Sequence, residues 1–180
     1  MPDTSARIRA AAPSDAEALA ALARRTFGET FIDDFAMPYA EDDVEELYDR
    51  AFTPAAFLAR MEHPASRVWL VEMAGRSVGY ASAGPCALPH PDVRPGDGEL
   101  KQLYVAREAQ GSGVGRALLD EVFRWLERDG PRTLWIGVWS GNLRAQAVYA
   151  ARGFSKAGEY EFPVGQVRDR EFILRREAST

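Results

Sequence analysis

The stretch from Glu99 to Val122, ELKQLYVAREAQGSGVGRALLDEV, constrains this chain more than any other. ELKQLYV reads as a strand, and Val114, Leu118, Val122, Trp125 and Leu126 recur at helical spacing up to about Asp129. Between the two, Gly111, Gly113 and Gly115 occupy alternate positions where the helix begins. Each glycine costs a helix about 1 kcal/mol relative to alanine. Arg116 then brings a cation to the end of a helix that favours an anion. A bound phosphate reconciles both features. Glycines let the ligand approach backbone N–H groups, the helix dipole adds favourable charge, and Arg116 becomes a counter-ion. A P-loop would need a Lys-Ser or Lys-Thr pair after the glycines, and none follows. A dinucleotide fingerprint needs G-x-G-x-x-G directly after the strand, whereas this G-x-G-x-G stands off from Val105. A glycine-rich helix start that only permits close packing remains open as the plainer reading.

The strand has an irregular phase. Leu103 and Val105 share one phase of the alternation and Leu100 has the other. A strict strand cannot bury all three on one face. One extra residue, a β-bulge near Lys101-Gln102, puts them together.

The rest of the chain predicts a mixed α/β domain with helices packed on a central sheet, a single unit over residues 1–180. The order reads β-α-α-β-β-β-α-β-α-β-β. Ser14 is a candidate N-cap for the first helix, with Glu17 completing a capping box. Thr53-Pro54 starts a further short helix. RVWLVEM and SVGYASAG form a hairpin about Ala74-Gly75-Arg76, and the proline-rich stretch from Pro85 to Gly98 is a loop. TLWIGVW is a continuous apolar strand. NLRAQAVYAAR is a helix capped by Asn142 and ended by Gly153. FSKAGEYEF and REFILRR close the chain as an antiparallel pair.

Composition excludes several function classes. A net charge of −5 argues against general nucleic-acid affinity. Cys86 is the only cysteine, and with His63 and His90 it makes no metal-ligand cluster. No apolar run reaches membrane-spanning length, and MPDTSARIRA lacks the apolar core of a signal peptide, so the cytoplasm is the expected compartment.

Gln110-Gly111-Ser112-Gly113-Val114-Gly115 matches Q/R-x-x-G-x-G/A, preceded by LYV on a strand and followed by NLRAQAVYAARGF. In that order and spacing the two motifs resemble the pyrophosphate-binding and pantetheine-binding signatures of the GNAT acetyltransferase superfamily. TFGETF, AGRSVGYA, LWIGVWSGN and the ending GEYEFPVGQVRDREFILRR are similar to the bacterial spermidine/spermine N-acetyltransferases.

The resemblance implies a GNAT fold, with a sheet splayed between its fourth and fifth strands and acetyl-CoA in the splay. Backbone groups of Leu103, Tyr104 and Val105 would then meet the pantetheine arm, and the amides from Gln110 to Arg116 would hold the pyrophosphate. By family position, Asn142 binds the pantetheine and Tyr149, on the same helix face, protonates the departing thiolate. A phenol of pKa about 10 can donate to a thiolate as the C–S bond breaks. An amine acceptor must lose a proton of pKa about 10.4 before it attacks. Glu99 is the candidate carboxylate for that step by its position in the family, and a solvated strand-end charge is the competing reading. Phe31 and Trp139 are candidates to line the acceptor site. No metal and no covalent enzyme intermediate are expected.

Nine acidic residues and no basic one lie between Glu29 and Asp49, namely Glu29, Asp33, Asp34, Glu41, Asp42, Asp43, Glu45, Glu46 and Asp49. A negative rim would concentrate a polycation, although Val44, Leu47 and Tyr48 facing inward would leave most of these acids on a solvated helix face. The resemblance and the charge both point to a small-molecule amine, with a polyamine such as spermidine first. An N-terminal peptide or amino-acid acetyltransferase and a non-catalytic acyl-CoA sensor are the alternatives, and a homodimer is compatible with each.

Overall fold

A computed structural model describes residues 6–179, so the first part of the segment read for a targeting signal lies outside the described residues. Among the described residues there are seven strands, β1 (Arg7–Ala10), β2 (Arg67–Met73), β3 (Arg76–Pro85), β4 (Gly98–Val105), β5 (Leu134–Trp139), β6 (Ser155–Val164) and β7 (Val167–Arg176). They form one sheet in the order β1-β2-β3-β4-β5-β7-β6. Every pairing is antiparallel except β4 with β5. The helices are α1 (Ala16–Phe27), α2 (Glu41–Ala51), α3 (Pro54–Glu62), α4 (Val114–Leu126) and α5 (Leu143–Ala150).

Helices cover both faces. On one, Leu118, Leu119, Val122 and Leu126 of α4 meet Trp69, Val71, Leu100 and Ile136 of the sheet. On the other, Leu19, Phe27, Leu47 and Phe57 of α1, α2 and α3 meet Val68, Leu70 and Tyr80. Strands buried on both sides read as the near-continuous apolar runs RVWLV and LWIGVW.

Local chemistry explains the boundaries. Thr53 caps α3 by accepting from the Ala56 N–H at 3.1 Å, with Pro54 at the first helical position. Asn142 Oδ1 caps α5 through the Ala145 N–H at 3.1 Å, and Gly153 follows it with φ 87°. The expected role of Ser14 is corrected. A short 3-10 turn over Pro13–Asp15 precedes α1, and it is Asp15 that accepts from the Ala12 N–H, at 2.7 Å. Asp15 holds the N-cap position of α1 without a side-chain cap bond, because its carboxylate is turned to the Ala12 N–H and to Arg9 at 2.7 Å. Helix α1 continues from Phe27 into a wider π-type turn over Gly28–Asp34, an irregularity of a kind frequent at functional sites.

The bulge is present. Ser82 pairs with Gln102 and Ala83 with Leu100, which leaves Lys101 as the extra residue. Leu100 lies in the α4-side core, and Leu103 and Val105 pack against that same core. The β4–β5 ladder consists of Gly98 with Leu134, Glu99 with Trp135 and Leu100 with Ile136. Beyond Leu100 the two strands part, because the bulge turns β4 away from a partner that carries no matching irregularity.

Candidate active site

The gap between β4 and β5 opens toward the glycine loop. Gly111 and Gly113 have φ of 78° and 89°, a conformation that costs an L-residue about 1–2 kcal/mol. A Cβ built on either meets nothing within 4 Å, so the hollow of the loop is open. Gly115 differs, since its Cβ would lie 3.5 Å from Val105 Cγ2 in ordinary contact.

The loop's amides divide into two sets. Gln110 N–H donates to Arg107 O at 3.2 Å and Ser112 N–H to Ala109 O at 3.4 Å, which corrects the expectation that every amide from Gln110 to Arg116 is available. Gly111, Gly113, Val114, Gly115 and Arg116 have no backbone acceptor among the described residues. Arg116 is exposed and makes no ion pair among them. Five unpaired donors, a helix N-terminus and a free guanidinium suit a pyrophosphate.

On β4, Ala106 N–H donates to Val78 O at 2.8 Å, so by alternation Leu103 and Val105 turn their backbone groups toward the gap. Gln110 Nε2 occupies one of these acceptors, Val105 O, at 3.1 Å. The Gln110 side chain thus ties the loop to the end of β4. The Tyr104 side chain lies on the opposite face, stacked on Tyr80 at 5.6 Å.

Tyr149 projects from α5 into the α4-side core and is 9% exposed. Burial pushes its phenol up to about 12, with Arg152 opposing, so it holds its proton at neutral pH. Its hydroxyl has no hydrogen-bond partner among the described residues. Tyr149 lies close enough to Tyr104, across the gap, to help raise that phenol.

On the α1–α2 side of the same gap, Trp139, a candidate from the sequence, stands with a set of residues that sequence reasoning did not select. Trp139, Glu171 and Tyr160 are direct cross-strand neighbours and therefore share one face. Asp169 is two residues from Glu171 on that face and 4% exposed. Its Oδ2 accepts from the Tyr39 hydroxyl, while its Oδ1 is buried without a partner. Burial raises Asp169, and the Tyr39 hydroxyl partly offsets this. Burial first, and then the Asp169 charge, push the Glu171 carboxyl up to about 7. Burial also raises Tyr39, Tyr104 and Tyr160, and the Glu171 charge adds to all three.

Phe31 and Trp139 are brought together through Phe35, with ring centroids 5.9 Å from Phe31 to Phe35 and 4.6 Å from Phe35 to Trp139. Glu99 lies in the paired part of β4, 8% exposed, where Oε2 accepts from Ala87 N–H at 2.8 Å and from Lys101 Nζ at 2.9 Å. Burial raises the Cys86 thiol to about 11, which keeps it protonated and a poor nucleophile near neutrality. Among the described residues, no group of three or more His, Cys, Asp or Glu could hold a metal ion, and no helix is long and apolar enough to cross a membrane.

The sequence could have flagged one signal. In VRDREFILRR, Asp169 and Glu171 share the phase of buried Ile173, so two acids occupy an inward row. Which side faces a ligand becomes visible only once the sheet is assembled.

Comparison with known proteins agrees with this geometry. Residues 24–154 match the acetyltransferase (GNAT) family model. An N-acetyltransferase of Mycobacterium tuberculosis, itself uncharacterised, is 31% identical over 166 residues, covering 91% of this chain and 98% of that protein. A PaiA N-acetyltransferase from Thermoplasma acidophilum, solved with coenzyme A, has the same fold with a TM-score of 0.74 at 19% identity, over 96% of this chain and 99% of that one. A ribosomal-protein-alanine N-acetyltransferase from Brucella melitensis has a TM-score of 0.70 at 27% identity, over 95% and 99% of the two chains. The splayed sheet, the open glycine loop and these likenesses together place the chain in the GNAT family, as an N-acetyltransferase that uses acetyl-CoA.

Proposed function

We propose that the acceptor is a small di- or polyamine such as spermidine. In this reading Gly111, Gly113, Val114, Gly115 and Arg116 hold the pyrophosphate, the free edge of β4 at Leu103 and Val105 aligns the pantetheine, and Asn142 orients it. Tyr149 donates the proton to the departing thiolate. The protonated state of Tyr149 and its unpartnered hydroxyl beside the gap support that role.

The observation that carries the choice of acceptor is the closure of the α1–α2 side. The tip of the β6–β7 hairpin is docked on α2. Val164 is 2% exposed in the core of α1 and α2, the Gln166 N–H reaches Asp43 Oδ2 at 3.4 Å, and Tyr39 bonds Asp169. An extended peptide needs an open groove or a free strand edge, whereas a thin, flexible amine can thread a covered site. Glu41 and Glu45 line a cleft of about 380 Å³ beside Tyr39 and have no ion-pair partner among the described residues. The acidic rim is smaller than the sequence suggested. Arg107 pairs with Asp34 at 2.8 Å and Asp33 at 3.4 Å, Arg24 with Asp49 at 3.2 Å, and Glu29 accepts from the Arg107 N–H at 2.9 Å.

A peptide beginning with alanine is the second reading, favoured by likeness to the Brucella enzyme over nearly the whole chain. Thiol release from acetyl-CoA separates the two. Spermidine should exceed both a monoamine and an alanine-initiated peptide, chiefly through KM. The advantage should shrink with added salt, because exposed charges are screened beyond about 8–10 Å near physiological ionic strength. Replacing Glu41 and Glu45 together by Gln should raise KM for spermidine about three- to tenfold, in line with attraction of about 1 kcal/mol from exposed charges. Faster acetylation of the peptide would replace the polyamine reading.

A further inference from the structure

We propose that Glu171 is the catalytic base, the group that takes the proton from the acceptor ammonium. Its place follows from register. Glu171 sits opposite Trp139, at the end of β5 three residues beyond the last β4–β5 pair at Ile136, and opposite Tyr160 on β6. Its surroundings are polar groups left unsatisfied. Neither oxygen of Glu171 has a hydrogen-bond or ion-pair partner among the described residues, nor has the hydroxyl of Tyr104 or Tyr160. Asp169 Oδ1 is likewise orphaned at 4% exposure. Buried polar groups are nearly always paired, so the orphaned Asp169 Oδ1 marks where a polar ligand completes the bonding, and the unpaired groups of half-buried Glu171, Tyr104 and Tyr160 give that ligand further partners. An ammonium donates three hydrogen bonds and accepts none, which fits acceptors at Glu171 and Asp169 with hydroxyls beside them.

The contrast with Glu99 is chemical. Glu99 Oε2 already pairs with Lys101 and accepts the Ala87 N–H, so that oxygen is engaged within the protein. The groups facing Glu171 are Asp169 on its own strand, Tyr160 on β6, Tyr104 on β4 and Tyr39 before α2, with no cation among the groups that shift it. Burial and the Asp169 charge push its carboxyl up to about 7, above the ordinary 4.5. The raised value makes proton transfer from an ammonium less unfavourable than to an ordinary carboxylate.

The step balances. Glu171 carboxylate takes one proton from the ammonium. The freed amine forms the C–N bond to the acetyl carbon and the C–S bond breaks. The thiolate takes the Tyr149 proton, and the nitrogen's second proton restores the phenol. Glu171 then releases its proton to water, so each turnover yields amide, free thiol and one proton. Asp169, held by Tyr39, is a positioning residue that keeps the site negative.

The test compares Glu171→Gln, Glu171→Asp and Glu99→Gln by kcat/KM from pH 5.5 to 10. Spermidine and an alanine-initiated peptide are run in parallel, and the comparison is made on whichever amine the wild type acetylates. Acceptor identity and base identity are thus decided separately. The wild type should show an acidic limb with a midpoint near 7. Glu171→Gln should lose about 10²–10⁴-fold at pH 7, with the deficit narrowing toward pH 10 as free amine appears. Glu171→Asp should recover part of the loss, and Glu99→Gln should keep the limb. Unchanged coenzyme A affinity by calorimetry shows that the variant is folded. A loss below threefold, an equal loss at every pH, or a limb that vanishes in Glu99→Gln instead would each overturn the proposal. Independently of any acceptor, the Glu171 carboxyl ¹³C signal in the coenzyme A complex, assigned by its absence in Glu171→Gln, should titrate near 7. A midpoint below 5 would also overturn it.

Discussion

Two alanine substitutions in one loop should move stability in opposite directions. Gly113 has φ 89° and precedes α4 in the left-handed region. Alanine there costs about 1–2 kcal/mol from backbone sterics alone, because a Cβ meets no neighbour within 4 Å and so gains no contact to compensate. Gly115 is already helical, and its Cβ would meet Val105 Cγ2 at 3.5 Å, an ordinary contact. Alanine there gains up to about 1 kcal/mol of helix propensity, less in a first turn. For a chain of 180 residues, each kcal/mol moves Tm by about 2–4 °C. Gly113→Ala should therefore melt about 2–8 °C lower than wild type, and Gly115→Ala about 1–4 °C higher. Calorimetric titration with coenzyme A then separates loop geometry from loop mass. Relaxing Gly113 out of its positive φ turns the Val114 and Gly115 amides away, so affinity should fall at least tenfold, while Gly115→Ala should bind nearly as wild type. Equal melting points, or tight coenzyme A binding by Gly113→Ala, would refute the account of the loop.

Tyr149→Phe should lower kcat by about 10²–10⁴-fold while coenzyme A affinity stays within a few-fold, as measured by steady-state kinetics beside calorimetry. Glu171→Gln should raise Tm at pH 8 but not at pH 4.5. The folded pKa of Glu171, about 7, lies above its ordinary 4.5, so its contribution is intact below about 4.5 and lost as pH rises through 7. The full shift corresponds to about 3 kcal/mol, and partial exposure reduces this to about 1–2 kcal/mol, or roughly 2–8 °C on a melting curve.

Local rules made a large part of this protein legible in its sequence. The glycine spacing marked the open loop before α4, with Gly111 and Gly113 at positive φ, because backbone conformation is decided within a few residues. The phase conflict between Leu100 and Leu103 located the bulge, because side-chain direction in a strand has a fixed period. Asn142 and Thr53 cap where they were expected to, since a cap reaches only three residues along. Ser14 falls inside a 3-10 turn and α1 has no side-chain cap, since the carboxylate at its N-cap, Asp15, is drawn to Arg9 on β1.

Only the tertiary structure decided which charges are available. The acids before and within α2 look alike in sequence, yet Asp33 and Asp34 are paired by Arg107, a residue 73 positions beyond Asp34, while Glu41 and Glu45 are left beside Tyr39. Glu171 shows the same dependence. Its shared phase with Ile173 places it on an inward row, but nothing in REFILRR says what that row faces. It acquires a raised pKa because β7 inserts between β5 and β6 and sets it against Trp139 and Tyr160, with the Asp169 charge close by. Desolvation and charge act through space over a few ångströms, and the chain brings those atoms together from separate elements only when the sheet is assembled.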